Sequence, residues 1–498
     1  MHARPSATLT LTLSCTAYFL VLFDASVMTV ALPSIQADLG FAPVDLQWVV
    51  NAYALAFAGL LLLGGRLADL YGHRRVFVGG LVLFTAASLV GGLAVSPVML
   101  IAARAGQGLG AAVLTPLALT MLTTTFPEGP RRTRALAIWT PVSLVGAAAG
   151  NALGGVLTEY LTWRSALLIN VPIGCAAILC ATRVVFRGAP RRRVRLDLPG
   201  AVLATTALTL LTLGTAQAHT HAWSDPATAL PLVGGIAALA AFAVVEARFA
   251  PAPLIPPHLL RLPGIGWGNL AILLSAAGMA PMWYCLTLTM QDVLHYSASR
   301  TGVGFLPHTL VMLLVGFRLT PRLMRYVQPR TLIAAGALME VAGFWWQGGI
   351  TSDSDYATGI LGPAVLISFG AGLASTPLTT TVTAGVQPGD AGAASGLMNT
   401  TRQFGSAFGL AMVLTLSTTN TPAAPTAVAA GYGNAFHVMA VIVLALAALA
   451  PLLPSVRTPR TPPSTADRPE GASGRPPEAP GGPARGWRGR GERQRGLG

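Results

Sequence analysis

Three ionisable side chains stand inside long apolar runs of this sequence, and its chemistry has to start from them: Asp24, Arg104 and Glu340. A charge in hydrocarbon costs several kcal/mol, so each such group points to a proton or ion pathway. Asp24 lies among Leu20, Val27 and Met28. It is the expected carboxylate that binds and releases a proton, unless it serves only as a hydrogen bond to another helix. Arg104 is the basic residue deep in the first half and needs a carbonyl or carboxylate partner. Glu340 shares a helical face with Gly336, Gly343, Phe344 and Gln347. Small residues suit a cavity wall better than a lipid face, so it is expected as a second proton or cation site. No phosphate-binding Gly-rich Lys motif, nucleotide-binding domain or catalytic triad occurs. Cys15, Cys175, Cys180 and Cys285 fall in expected helices without CxxC or metal spacing and read as small apolar fillers. The chain is therefore not expected to be an enzyme or to hold a cofactor or metal. An ion gradient would supply its energy.

The elements that carry these groups are apolar runs of about twenty residues, the length a helix needs to cross ~30 Å of hydrocarbon. Fourteen are expected, near 9–32, 46–65, 76–95, 97–118, 133–157, 163–184, 198–217, 228–247, 265–289, 301–320, 331–350, 357–382, 394–418 and 434–454. Charged residues are 10% of the chain and the mean hydropathy is +0.61, against about 25% charged residues in soluble domains. An all-α polytopic membrane protein follows, with the lipid bilayer as its solvent. All 32 basic residues are Arg. Outside the spans they crowd into alternate loops, such as Arg74 and Arg75, Arg131 and Arg132, or Arg322 and Arg325, whereas Arg164 and Arg300 flank the opposite face. Short cytoplasmic loops hold the excess of Arg, which places both termini in the cytoplasm and the chain in the cell inner (cytoplasmic) membrane. The net charge of +14 is then a topology signal, and no nucleic acid is expected as a partner. The first apolar run is too long for a cleaved signal and reads as the first span. Residues 457–498 hold nine Arg with many Pro and Gly, so a disordered cytoplasmic tail is expected there. It is either solvated and dispensable or a polybasic contact with lipid headgroups, worth about 1 kcal/mol per Arg.

The first and last six spans look related. Gly108-Leu-Gly110-Ala-Ala-Val-Leu-Thr115-Pro116-Leu117 has a counterpart in Gly370-Ala-Gly372-Leu-Ala-Ser-Thr376-Pro377-Leu378, and Gly146-Ala-Ala-Ala-Gly150 in Gly405-Ser-Ala-Phe-Gly409. This divides the chain into a six-helix bundle at 1–187, two inserted transmembrane helices at 188–262, a second six-helix bundle at 263–456 and the tail at 457–498. Duplicated bundles are a transporter plan, with substrate held near the midplane between them. Gly146, Gly150 and Gly154 form a small-residue stripe that allows close helix packing, and its recurrence in both halves suggests a moving interface.

Several motifs carry a family resemblance. Gly65-Arg66-Leu67-Ala68-Asp69-Leu70-Tyr71-Gly72-His73-Arg74-Arg75 resembles the loop signature of the major facilitator superfamily, with Leu70 and His73 in place of two usual basic residues. Asp69, Gly72, Arg74 and Arg75, with Gly65, would form a cytoplasmic latch, Gly72 permitting the tight turn and Asp69 bonding arginines or a helix N-terminus. Leu22-Phe23-Asp24-Ala25-Ser26-Val27-Met28-Thr29-Val30-Ala31-Leu32-Pro33 is similar to a motif of the 14-helix drug:proton antiporter branch, the QacA- and EmrB-like exporters. Trp48 with Ala52-Tyr53, Arg104-Ala-Gly-Gln107-Gly108, and Trp163-Arg164 followed by Asn170-Val171-Pro172 are also similar to that branch. The resemblance runs from about residue 15 to 455 and implies the major facilitator fold, two six-helix bundles plus two inserted helices. It also implies a part for Arg104 in proton coupling. One departure stands in the antiporter motif of the fifth span, Gly146, Gly150, Asn151, Gly154 and Gly155, where Asn151 replaces the usual Pro and its kink.

The expected activity is export of small amphipathic drugs or antibiotics in exchange for protons by a monomer. The rivals are a proton-coupled importer of a small metabolite, which the missing Pro would suit, and a non-transporting membrane sensor. Met28, Trp283, Tyr284, His308 and Phe344 are expected to line a loose apolar substrate cavity. Arg402 and Gln403, read as opening the thirteenth span, are expected at the cytoplasmic gate.

Overall fold

The computed structural model describes residues 7–126, 130–183, 197–218, 220–249, 257–351, 353–387, 390–417 and 425–454. The expected tail at 457–498 lies outside them. Among the described residues the chain is helical and contains no strand. In chain order the long helices are α1 (Ala7–Leu39), α2 (Trp48–Tyr71), α3 (His73–Gly92), α4 (Pro97–Thr125) and α5 (Pro130–Tyr160). Then come α6 (Trp163–Leu168 continued by Asn170–Arg183), α7 (Leu198–Gln217), α8 (Pro226–Val244) and α9 (Pro263–Leu288). α10 joins Ala298–Gly304 to Leu306–Leu314, and α11 (Pro329–Gln347), α12 (Gly362–Thr383), α13 (Ala391–Ser417) and α14 (Pro425–Leu449) complete the order.

The breaks and starts have local causes. α6 breaks at Ile169, beside Leu168, whose carbonyl loses its donor to the ring of Pro172, and α10 breaks at Phe305, two residues before Pro307. Ser96 caps α4 by accepting the Met99 N–H at 3.3 Å, and Asp197 caps α7 by accepting the Gly200 N–H at 2.9 Å. Between α2 and α3 the chain reverses at Gly72, whose φ of +93° is a conformation that only glycine takes freely.

Ten helices are long and apolar enough to cross a membrane among the described residues. α11 and α13 fall short of that measure because they carry more polar side chains, Glu340 and Arg402 among them, and α2 holds a shorter apolar stretch, Trp48–Leu61, among the described residues. Large apolar side chains point outward, as at Val202, Leu230, Val233 and Ile236. Such a surface is stable only against lipid, and the protein is a multi-pass membrane protein.

Packing repeats between the first and last six helices. α1 packs on α5 as α9 packs on α13, α3 on α4 as α11 on α12, and α3 on α6 as α11 on α14. The glycine stripes make this possible. A Cβ at Gly150 would lie 2.6 Å from the Phe23 carbonyl oxygen of α1, and one at Gly405 would lie 2.8 Å from that of Leu273 on α9. Each half also holds a proline inside a helix, with the threonine one turn later bonding the proline carbonyl: Thr120 Oγ1 to Pro116 at 2.9 Å, Thr381 Oγ1 to Pro377 at 2.8 Å. α7 packs on α8 and against both α2 and α13.

Candidate functional site

Five helices meet around Asp24. From α1, its Oδ2 accepts Arg104 Nη1 at 2.5 Å, and its Oδ1 accepts Gln107 Nε2 at 2.7 Å and Asn170 Nδ2 at 2.7 Å. Arg104 and Gln107 stand three residues apart on α4 and so share one face. Gln107 Oε1 accepts Arg104 Nη1 at 2.8 Å, and Gln107 Nε2 also donates to Ser88 Oγ of α3 at 2.8 Å. Arg104 Nε donates to the Val49 carbonyl of α2 at 2.9 Å, with its guanidinium 4.6 Å above the Tyr53 ring. Asp24, Gln107 and Asn170 are 0% exposed and Arg104 is 1% exposed. Breaking such a pair from one side costs about 3–5 kcal/mol, because the remaining charge is left buried. The cluster brings Asp24 and Arg104 together, as their types required. Gln107 and Asn170 were visible in the quoted motifs but not as ligands of Asp24, although each is a polar residue in an apolar run.

Glu340 is set apart from that cluster. It sits in α11 where α11 crosses α12, with its Cγ 2.8 Å from where a Cβ at Gly370 would stand. It is 1% exposed, and neither carboxyl oxygen has a hydrogen-bond partner. An ionised carboxylate there would have no compensating donor. On the other side of α12, His308 of α10 places Nδ1 3.0 Å from Ser368 Oγ, while its Nε2 is unpartnered. Trp283 of α9 packs beside it, with ring centroids 5.5 Å from His308 and 5.3 Å from Phe305. Of the expected cavity residues the structure thus joins Trp283 and His308. Met28, Tyr284 and Phe344 are buried in the continuous apolar core.

The fifth-span motif faces two ways. Gly146, Gly150 and Gly154 lie along α1, whereas Gly155 meets the backbone of Ala298 and Ser299 on α10, in the other half. Asn151 is buried, α5 runs unbroken through it, and its backbone carbonyl abuts Gly302 of α10. Close to this crossing Glu159 Oε2 accepts the Ser299 N–H at 2.8 Å. The Ser299 side chain and N–H, with Ser297, hold this exposed carboxyl below the usual range. Gln291 Nε2 adds a bond to the Val30 carbonyl at 2.9 Å. These contacts tie the halves at the end opposite the Arg-rich loops.

At the Arg-rich end, Arg74 donates to the Thr182 carbonyl of α6 within its own half, and Arg75 is exposed. The side chain of Asp69 lies outside the described residues, and nothing is described around Gly65. Arg402 does not stand at a helix opening. α13 starts at Ala391, three turns before Arg402, which places Arg402 and Gln403 well inside the helix.

The profile of the Major Facilitator Superfamily matches residues 14–410. A cephamycin export protein, CmcT, of Amycolatopsis lactamdurans is 66% identical over 86% of this chain and 89% of that relative. The puromycin resistance protein pur8 of Streptomyces alboniger is 41% identical over 82% and 81%. The tetracenomycin C resistance and export protein of Streptomyces glaucescens is 32% identical over 79% and 73%. Among solved structures, an auto-inhibited POT family peptide transporter superposes with a TM-score of 0.63 at 15% identity, over 91% of this chain and 98% of that one.

Proposed function

The chain belongs to the major facilitator superfamily, and from that membership we propose that it exports small amphipathic antibiotics in exchange for protons by alternating access. It is a transporter and not an enzyme. Relatives named for antibiotic export and resistance support the efflux direction, and the cephamycin of the 66% relative is the first candidate substrate. The observation that carries proton coupling is the closed Asp24–Arg104 pair with Gln107 and Asn170. A proton taken up by Asp24 removes the charge that holds Arg104, and the loss is felt at once on α1, α4 and α6. Glu340 is the second proton site, in the other half. The bodies that rock are residues 1–187 and 263–456, with 188–262 as the insert and 457–498 as a cytoplasmic tail. Asp69, Gly72, Arg74 and Arg75 act as the cytoplasmic latch.

The importer reading gains no support from Asn151, since α5 still packs closely on α1 and α10 without the proline. The test uses inside-out membrane vesicles with an acidified interior. Adding cefoxitin or puromycin to the medium should dissipate the proton gradient in vesicles that contain the protein, and a response no larger than in vesicles lacking it overturns proton-coupled export. Orientation is tested with single cysteines in a background without the four native ones: position 354 should label from outside the cell and position 464 only from inside. Outside labelling at 464 overturns the cytoplasmic C-terminus in the inner membrane.

A further inference from the structure

The proton network leaves one deep charge unused. Arg402 stands eleven residues into α13, its side chain is exposed, and no ion pair or hydrogen bond engages it among the described residues. A guanidinium at this depth tolerates exposure only toward a water-filled space between the halves, where such groups mark substrate pathways. It is within electrostatic reach of the Tyr18 phenol on α1, in the opposite half. Tyr18 is stacked on Trp139 of α5, with ring centroids 4.4 Å apart and planes 16° from parallel. The Trp139 Nε1 is buried without a hydrogen-bond partner. An unpaired indole N–H in a low-dielectric interior is a costly group that a ligand acceptor would satisfy.

The three residues share a level. α1, α5 and α13 are odd-numbered helices and so run the same way from the Arg-rich face. Tyr18, Trp139 and Arg402 lie nine, six and eight residues past the starts of the spans expected at 9–32, 133–157 and 394–418, so at 1.5 Å per residue all three stand roughly 9–14 Å into the span. A cation without a counter-charge, an unpaired donor and a two-ring shelf therefore converge from both halves.

We propose that Arg402, Trp139 and Tyr18 form the recognition site for an amphipathic substrate that carries a carboxylate. The guanidinium takes the carboxylate through paired N–H···O bonds, Trp139 Nε1–H donates to a carbonyl of the same ligand, and the stacked rings cover its apolar body. The substrate supplies the counter-charge that Arg402 lacks. A neutral analogue leaves the guanidinium unpaired, and sites built around a charged hydrogen bond reject such analogues strongly. This site rests on the export reading for its biological role and narrows the substrate class to organic anions.

The test titrates the purified full-length protein in detergent with cefoxitin, which has a free carboxylate, and with its methyl ester, by calorimetry. The parent should bind the acid roughly tenfold or more tightly than the ester. Arg402→Gln should weaken acid binding roughly 10- to 100-fold and leave the ester unchanged, Arg402→Lys should retain part of the preference, and Trp139→Phe should weaken acid and ester together. Equal binding of acid and ester by the parent, unchanged acid binding by Arg402→Gln, or no acid binding by the parent overturns the site. The acid–ester comparison on the parent needs no variant to fold. If the acid binds but moves no protons in vesicles, the export reading falls and the site stands. Vesicles that respond to puromycin while the protein ignores the acid overturn the site alone.

Discussion

Asp24→Asn is the most informative single substitution, because the amide keeps the carboxylate's shape and removes only its charge. In the parent, Gln107 and Asn170 both aim at one oxygen, at 2.7 Å, and Arg104 aims at the other, at 2.5 Å. If the Asn amide oxygen stays with Gln107 and Asn170, its NH2 group faces Arg104 donor to donor. If it turns to Arg104, the other two donors lose their acceptor. Neither rotamer satisfies the cluster. Losing one partner of a buried pair costs about 3–5 kcal/mol. Arg104 retains the Val49 carbonyl, Gln107 and the Tyr53 ring, so we expect the lower end, about 3 kcal/mol. Chemical denaturation in detergent measures it. Adding Arg104→Gln should bring stability back to within about 1 kcal/mol of the parent, since removing both charges removes the unpaired one. Transport should respond differently, because the double variant still cannot titrate. One proton moving through 100 mV supplies about 2.3 kcal/mol, against about 1.4 kcal/mol per tenfold gradient. The attainable drug gradient should therefore fall about 40-fold in both variants, while downhill exchange continues. A stable Asp24→Asn protein would refute the closed pair, and full active efflux by it at neutral pH would move coupling to Glu340.

Glu340→Gln should change stability by less than about 1 kcal/mol, because both carboxyl oxygens already lack partners, yet reduce proton release in vesicles; a loss of several kcal/mol would mean that the carboxylate is paired. Gly155→Val should abolish transport with expression intact, since even a Cβ meets the Ala298 carbonyl and lies 2.8 Å from the Ser299 Cα; wild-type transport would place the closure elsewhere. The Glu159–Ser299 contact has a definite pH sense. Its carboxyl is held below the usual range, so the bond is complete above about pH 4.3 and is lost as the pH falls through the lowered value. Hydrogen exchange at the Ser299 amide, corrected for intrinsic rate, should show that loss of protection on acidification, and Glu159→Gln should remove the step; protection independent of pH in the parent speaks against the contact.

The expected spans and the helices largely coincide, because twenty apolar residues in a row have one stable form in hydrocarbon. Ends were less legible. α1 reaches Leu39 and α4 reaches Thr125, beyond the hydropathy signal, since a helix continues past the lipid wherever its backbone bonds can. Gly72 was readable as a turn from its motif, and its positive φ agrees. Arg402 was read as a helix opening because polar residues crowd the first turns of the expected 394–418 span. α13 instead begins at Ala391 and carries Asn399, Arg402 and Gln403 inside, a placement that a neighbouring half makes tolerable and a single helix does not reveal.

By itself, then, the sequence determined what each segment must do in a bilayer: which runs are helical, which glycine stripes can pack closely, and which charges are too costly to bury without a partner. Those are local properties, fixed by backbone hydrogen bonding and by the price of desolvation. Tertiary structure decided who the partners are. Asp24 and Asn170 are 146 positions apart, yet their side chains lie 2.7 Å from each other, whereas Glu340, equally buried, meets no donor. Nothing in one helix distinguishes those two carboxylates, because whether a buried charge is compensated depends on atoms that other helices bring to it.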